Sequence, residues 1–162
     1  MKPTSNGQSK LPILGLSLVI LGALSFSVEA APSGQAPGTV PSVGSLGEFR
    51  WKNRVLVVRA TDDEAALIRK LEQAAAAFRE RDLVWFLIRA KGVESNTGRP
   101  CTAQFRSQLE KITWGETPWK TVLIGKDGGV KAKSKTLEVD AILAQIEAMP
   151  MRQQEMREIK EN

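Results

Sequence analysis

Two runs constrain the fold of this chain more than anything else in it. Residues 54–60 (RVLVVRA) and 83–88 (LVWFLI) are short, apolar and rich in β-branched or aromatic side chains. That pattern suits strands buried on both faces better than strands alternating between core and solvent. Between them, Thr61, Asp62 and Asp63 supply helix-start chemistry, with acids facing the positive end of a helix dipole. Leu67, Leu71, Ala74 or Ala75, and Phe78 then recur at helical spacing, so residues 63–81 are expected to form one helix with a single apolar stripe. A strand, a helix and a strand with short joins predict a right-handed parallel crossover.

The remaining elements extend this unit. Residues 91–100 read as a polar loop, and a shorter helix follows, in which Phe105, Leu109 and Ile112 share a face and Thr102 is the expected cap. Residues 121–125 (TVLIG) read as a third strand. Lys126-Asp127-Gly128-Gly129 reads as a tight hairpin, because Asp-Gly tolerates the positive φ such turns require. Residues 130–135 return as a strand with Lys131, Lys133 and Lys135 on one face, where lysine discourages edge-to-edge pairing. A last helix is expected over residues 137–148, capped by Thr136, with Val139, Ile142, Leu143 and Ile146 buried. The tail from Met151 is polar and either extends that helix or frays. The order β-α-β-α-β-β-α is that of a thioredoxin-like α/β fold, a central mixed sheet flanked by helices. A generic α/β sandwich is the alternative.

Ahead of the domain stand two segments of different composition. Lys2 and Lys10 precede an apolar run over residues 11–26, and Val28-Glu29-Ala30 places small residues three and one before a cut after Ala30, as in a secretory signal. Residues 1–30 are therefore expected to be a signal peptide. An uncleaved anchor is the competing reading, but the run is interrupted by Gly15 and Gly22 and is shorter than the ~20 apolar residues a span needs. Residues 31–47 are rich in Pro, Gly and Ser and read as a flexible spacer, leaving 48–158 as the domain. The expected location is periplasmic or secreted, with no stable membrane span after cleavage.

Composition then excludes chemistry. The chain has no histidine, which removes Ser-His and Cys-His pairs, imidazole bases and His metal ligands together. It has one cysteine, Cys101, so no internal disulfide and no resolving partner within the chain. The 23 Lys and Arg against 18 Asp and Glu give a net charge of +5. The basic residues are scattered, so no nucleic-acid surface is expected.

Four stretches, Phe49–Val58, Glu80–Val84, Leu123–Lys131 and Ala148–Met156, resemble the DUF4174 family, a thioredoxin-like, peroxiredoxin-related exported domain of bacteria that also occurs in vertebrate matrix and sushi-repeat proteins. The resemblance spans roughly residues 46–158. It implies fold and export, and it carries no catalytic residues to transfer.

A redox-active thioredoxin fold holds Cys-x-x-Cys where the first strand meets the first helix, because the helix start stabilises thiolate. Here that place reads Thr61-Asp62-Asp63-Glu64, so dithiol exchange is not expected. Cys101 is the one reactive candidate, with a helix start and Arg99 both acting to lower its pKa. Its blander reading is a partly buried small side chain, and that reading is preferred. Asp62, Asp63 and Glu64 read as capping acids before they read as a cation site. Met149, Met151 and Met156 could offer soft ligands to copper, although a packed turn accounts for them better. Lys131, Lys133 and Lys135 could contact an anionic polymer. Trp51, Trp114 and Trp119 could line a groove or simply pack. No catalytic, metal or cofactor residues are expected, and the reading is an exported, non-catalytic binding module for a protein or small ligand of the cell envelope. The alternative is a single-cysteine thiol enzyme, reducing peroxide or transferring thiols through Cys101.

Overall fold

A computed structural model describes residues 40–60, 63–114 and 119–161. The expected signal peptide, residues 31–39 of the spacer, Thr61 and Asp62 lie outside the described residues. Five strands form one mixed sheet: β1 (Arg54–Arg59), β2 (Leu83–Arg89), β3 (Gly92–Ser95), β4 (Thr121–Ile124) and β5 (Val130–Ser134), in the order β3-β2-β1-β4-β5. Strand β1 runs parallel to β2, from Arg54 opposite Leu83 to Arg59 opposite Ile88. It runs antiparallel to β4, with Val55 opposite Ile124 and Val58 opposite Thr121. The helices are α1 (Glu64–Gln73), α2 (Ala75–Glu80), α3 (Ala103–Thr113), α4 (Val139–Glu147) and α5 (Pro150–Glu161).

The uninterrupted apolar runs are explained by a core on each face of the sheet. Leu56, Val58, Trp85, Leu87 and Leu123 meet Leu71, Phe78, Ile142 and Ile146 of α1, α2 and α4. Val55, Val57, Phe86, Val122 and Ile124 meet Phe105 and Leu109 of α3, together with Val43 and Phe49. Phe86 sits edge-on to both Phe49 and Phe105, with ring centroids 5.4 and 4.9 Å apart, a favoured aromatic geometry. The parallel β1–β2 crossover with antiparallel β4 and β5 beside it is the thioredoxin-like arrangement expected of the sequence.

Several local expectations change. The helix read over residues 63–81 is interrupted at Ala74, yet Phe78 N–H still donates to Ala74 O at 2.9 Å, so Leu71 and Phe78 stay on one buried side. Part of the loop read at 91–100 is β3, an edge strand of mostly polar residues held by pairing with β2 rather than by its own apolar pattern. Gly92, at φ 142, occupies a conformation reserved for glycine where this hairpin turns. In the β4–β5 hairpin the positive φ falls on Gly128, at 83. Helix α4 starts two residues later than read, and its N-cap is Glu138 rather than Thr136.

The end of the presumed spacer is also ordered. Val43 is 0% exposed, Val43 N–H donates to Pro100 O at 2.8 Å and Thr102 N–H to Val43 O at 3.0 Å. Leu46–Phe49 then forms a 3-10 turn. These residues belong to the folded unit because Val43 and Phe49 complete the α3-side core.

Candidate functional site

The sheet has two poles where function can be sought: one at the carboxyl ends of β1 and β2, the other where β1 begins and β4 ends. Ligands of open α/β sheets favour the carboxyl ends. There, Asp63 caps α1, its Oδ1 accepting Ala66 N–H at 2.9 Å. Glu64 holds Arg89 at 2.8 Å, and Arg89 also reaches Glu94 at 2.6 Å. Two of the three acids at the start of α1 are thus occupied by a cap and an ion pair.

Cys101 lies on the α3 side of the sheet, half-buried against the second core and bridged through its backbone to Val43. It precedes Thr102, whose Oγ1 accepts Phe105 N–H at 3.1 Å and caps α3 as expected. Burial pushes the Cys101 thiol above its ordinary pKa. Arg99 pulls against that, and Glu48 adds to it. The expected lowering by Arg99 is outweighed by the burial of the thiol, and Glu48, paired to Arg99 at 2.8 Å, adds a smaller push in the same direction.

The other candidates do not assemble as read. Lys131 is tied to Asp127 at 2.6 Å beside a β-bulge, and Lys135 lies past the end of β5, so the three lysines do not form one row. Trp51 sits at the starting pole, its N–H donating to Lys126 O at 2.6 Å, whereas Trp114 ends α3 and Trp119 packs against the α3-side core near the carboxyl pole. Trp51 therefore stands at the pole away from the other two. Met149 is a core residue, while Met151 and Met156 are exposed on α5.

The starting pole holds a charged lattice that the sequence did not signal. Arg54, 1% exposed, donates to Arg81 O at 2.8 Å and pairs with Glu155 at 3.2 Å. Arg152, 3% exposed, donates to Glu80 O and pairs with Glu80, Glu147 and Glu155. Arg81 Nε lies 2.6 Å from Glu147. Lys126 bridges Asp82 and Glu155 at 2.9 and 2.7 Å. Four cations thus meet four carboxylates, and each is held by an opposite charge. Beside them a hollow of about 380 Å³ is lined by Arg54, Lys126, Met149 and Met151 among others.

A family profile described as Domain of unknown function (DUF4174) matches residues 45–155. The chain belongs to this family. No curated protein matches it in sequence. Among solved structures it is similar to the reduced 2-Cys peroxiredoxin of Plasmodium vivax, at 21% identity and a TM-score of 0.48, over 67% of this chain and 84% of that one.

In this DUF4174 domain the four stretches that carry the family resemblance meet in one place. Arg54, the Glu80–Asp82 corner, Lys126 and Arg152 come one from each, and together they form the lattice at the starting pole. Because its charges are mutually compensated, the lattice acts first as a clasp holding α5 onto the sheet. No helix among the described residues is long and apolar enough to cross a membrane.

Proposed function

We propose that this DUF4174 chain is an exported, non-catalytic binding module of the cell envelope built on a thioredoxin-like scaffold. The observation that carries the reading is the state of its one thiol. Cys101 is half-buried in the α3-side core with its pKa raised, and thiolate is the form that attacks disulfides and peroxides. The signal-like leader supports export, and an acidic helix start in place of a cysteine pair supports binding over turnover. The test is the pH dependence of Cys101 alkylation in the folded protein, run beside assays for peroxide consumption and thiol–disulfide exchange. A rate that rises only above roughly pH 8.5, the ordinary thiol value, with no turnover in either assay, is the expected result. Catalytic turnover lost in Cys101→Ser would overturn the reading in favour of a single-thiol enzyme.

A further inference from the structure

The starting pole gathers charge and cancels it, whereas near the opposite pole four cations have no ion-pair partner among the described residues. Between β1, β4, α1 and the approach to α4 lies a cleft of about 200 Å³. Arg59, Lys70, Lys120 and Lys135 all line it, and Glu138 is the one acid that does. None of these four cations forms an ion pair among the described residues. Sequence hid the group because its members come from β1, α1, the residue before β4 and the residue after β5, 76 positions apart at the extremes, from Arg59 to Lys135.

Three further features fit the cleft to an anion. Thr121 lines it and is 3% exposed, yet its Oγ1 has no hydrogen-bond partner among the described residues. Its neighbour across the ladder, Ser134, is already engaged with Thr136, so the Thr121 hydroxyl keeps an unused donor. Helix α4 begins at the cleft with no side-chain cap on its first amides, and uncapped helix starts favour negative charge. The Arg59 guanidinium stands 4.2 Å over the Trp114 ring centroid, which restrains the side chain without neutralising it.

We propose that this cleft binds a small tetrahedral oxyanion group, phosphate or sulfate, carried by the ligand of the module. The proposal deepens the binding-module reading and rests on it. Its volume admits an anionic head group rather than a whole drug-sized molecule, and convergent cations with a hydroxyl and free amides are what such a group requires.

The test is a titration of the isotope-labelled full chain followed by amide NMR. Inorganic phosphate and sulfate are added in separate arms, against sodium chloride at matched ionic strength. Saturable shifts at Lys120, Thr121 and Glu138 with phosphate or sulfate, and none with chloride, are expected; the stronger arm identifies the group. The double variant Lys120→Ala, Lys135→Ala should weaken binding about tenfold, as loss of charge-assisted hydrogen bonds implies, while Lys131→Ala, Lys133→Ala leaves it unchanged. Thr121→Val keeps shape and charge and should weaken binding several-fold. Equal shifts with chloride, equal losses in the two lysine pairs, or an unaltered Thr121→Val affinity would each overturn the proposal. So would binding to phosphatidylglycerol vesicles with no response to phosphate or sulfate, which would mark general surface attraction. A chain with an inert Cys101 and no oxyanion binding sinks this site and spares the module reading; thiol turnover sinks the module reading whatever the oxyanion does.

Discussion

Glu48 shows how one side chain sets the pH range of the fold. Its carboxylate accepts Gly44 N–H at 2.6 Å and Ser45 N–H at 3.2 Å and pairs with Arg99. The Gly44 bond first, then Arg99, holds its pKa below the ordinary value. Asp127 is held low in the same way, by Lys131 and then by Gly129 N–H. A carboxyl whose folded pKa is depressed contributes stability that is fully present above its unfolded pKa and is lost as pH falls through the folded one. The melting temperature should therefore be flat through neutral pH and fall below roughly pH 4, the ordinary carboxyl range. Thermal melts from pH 7 to 3 on the protein and on Glu48→Gln, Asp127→Asn check this. The double variant should start lower at pH 7 and fall less steeply, and parallel curves would contradict the account. Both acids lie close in sequence to the amides they accept. Their locations could be read from Ser45-x-x-Glu48 and Asp127-Gly-Gly; the Arg99 pairing, 51 positions away, could not.

At the scale of elements, what was legible followed local chemistry, and what was not followed partners elsewhere in the chain. Thr102 was readable as a cap because the hydroxyl and the amide it accepts are three residues apart. Strand β3 was not, since its only large apolar residue is Val93 and its order comes from β2. Helix α5 was left open between helix and frayed tail because its mean character is polar and its anchors lie far off; Arg54 and Glu155 are 101 positions apart. The clasp makes a definite prediction. Glu155→Ala leaves the buried Arg54 without its carboxylate and takes one of two from Lys126. Stranding a buried charge typically costs ~3 kcal/mol, and urea denaturation should show a loss of that order. Removing both charges with Arg54→Met and Glu155→Leu should recover part of it, because an apolar pair carries no stranded charge. A single variant no less stable than the unaltered chain would show that α5 is held by something else.

For the whole molecule, the two apolar runs were enough to predict a sheet covered on both faces, since neither could face water. What they could not reveal was what closes the α3-side face. That closure comes from residues of the presumed spacer, whose small and polar composition gave no sign of packing. Val43 is fully buried there, in an isolated bridge with Cys101, and Arg99 fixes the segment by donating to Pro41 O and Ser42 O at 2.8 and 3.0 Å. Phe49 follows, 6% exposed and seated against Phe86. The same strap bridges to Cys101 through its backbone, and Cys101 packs against the core that Val43 and Phe49 complete, so the setting of the thiol is tied to the closure of the core. A chain beginning at Val40 should therefore be compared with one beginning at Glu48. The shorter chain loses the burial of Val43 and the bonds of Arg99 to residues 41 and 42, a destabilisation of at least about 2 kcal/mol from the valine alone. It should also loosen the packing at the thiol, so Cys101 alkylation should accelerate at fixed pH as the melting temperature falls. Equal melting temperatures would return residues 40–47 to the status of a spacer. A lower melting temperature with an unchanged alkylation rate would show that α3 and the core, rather than the strap, keep Cys101 from reacting.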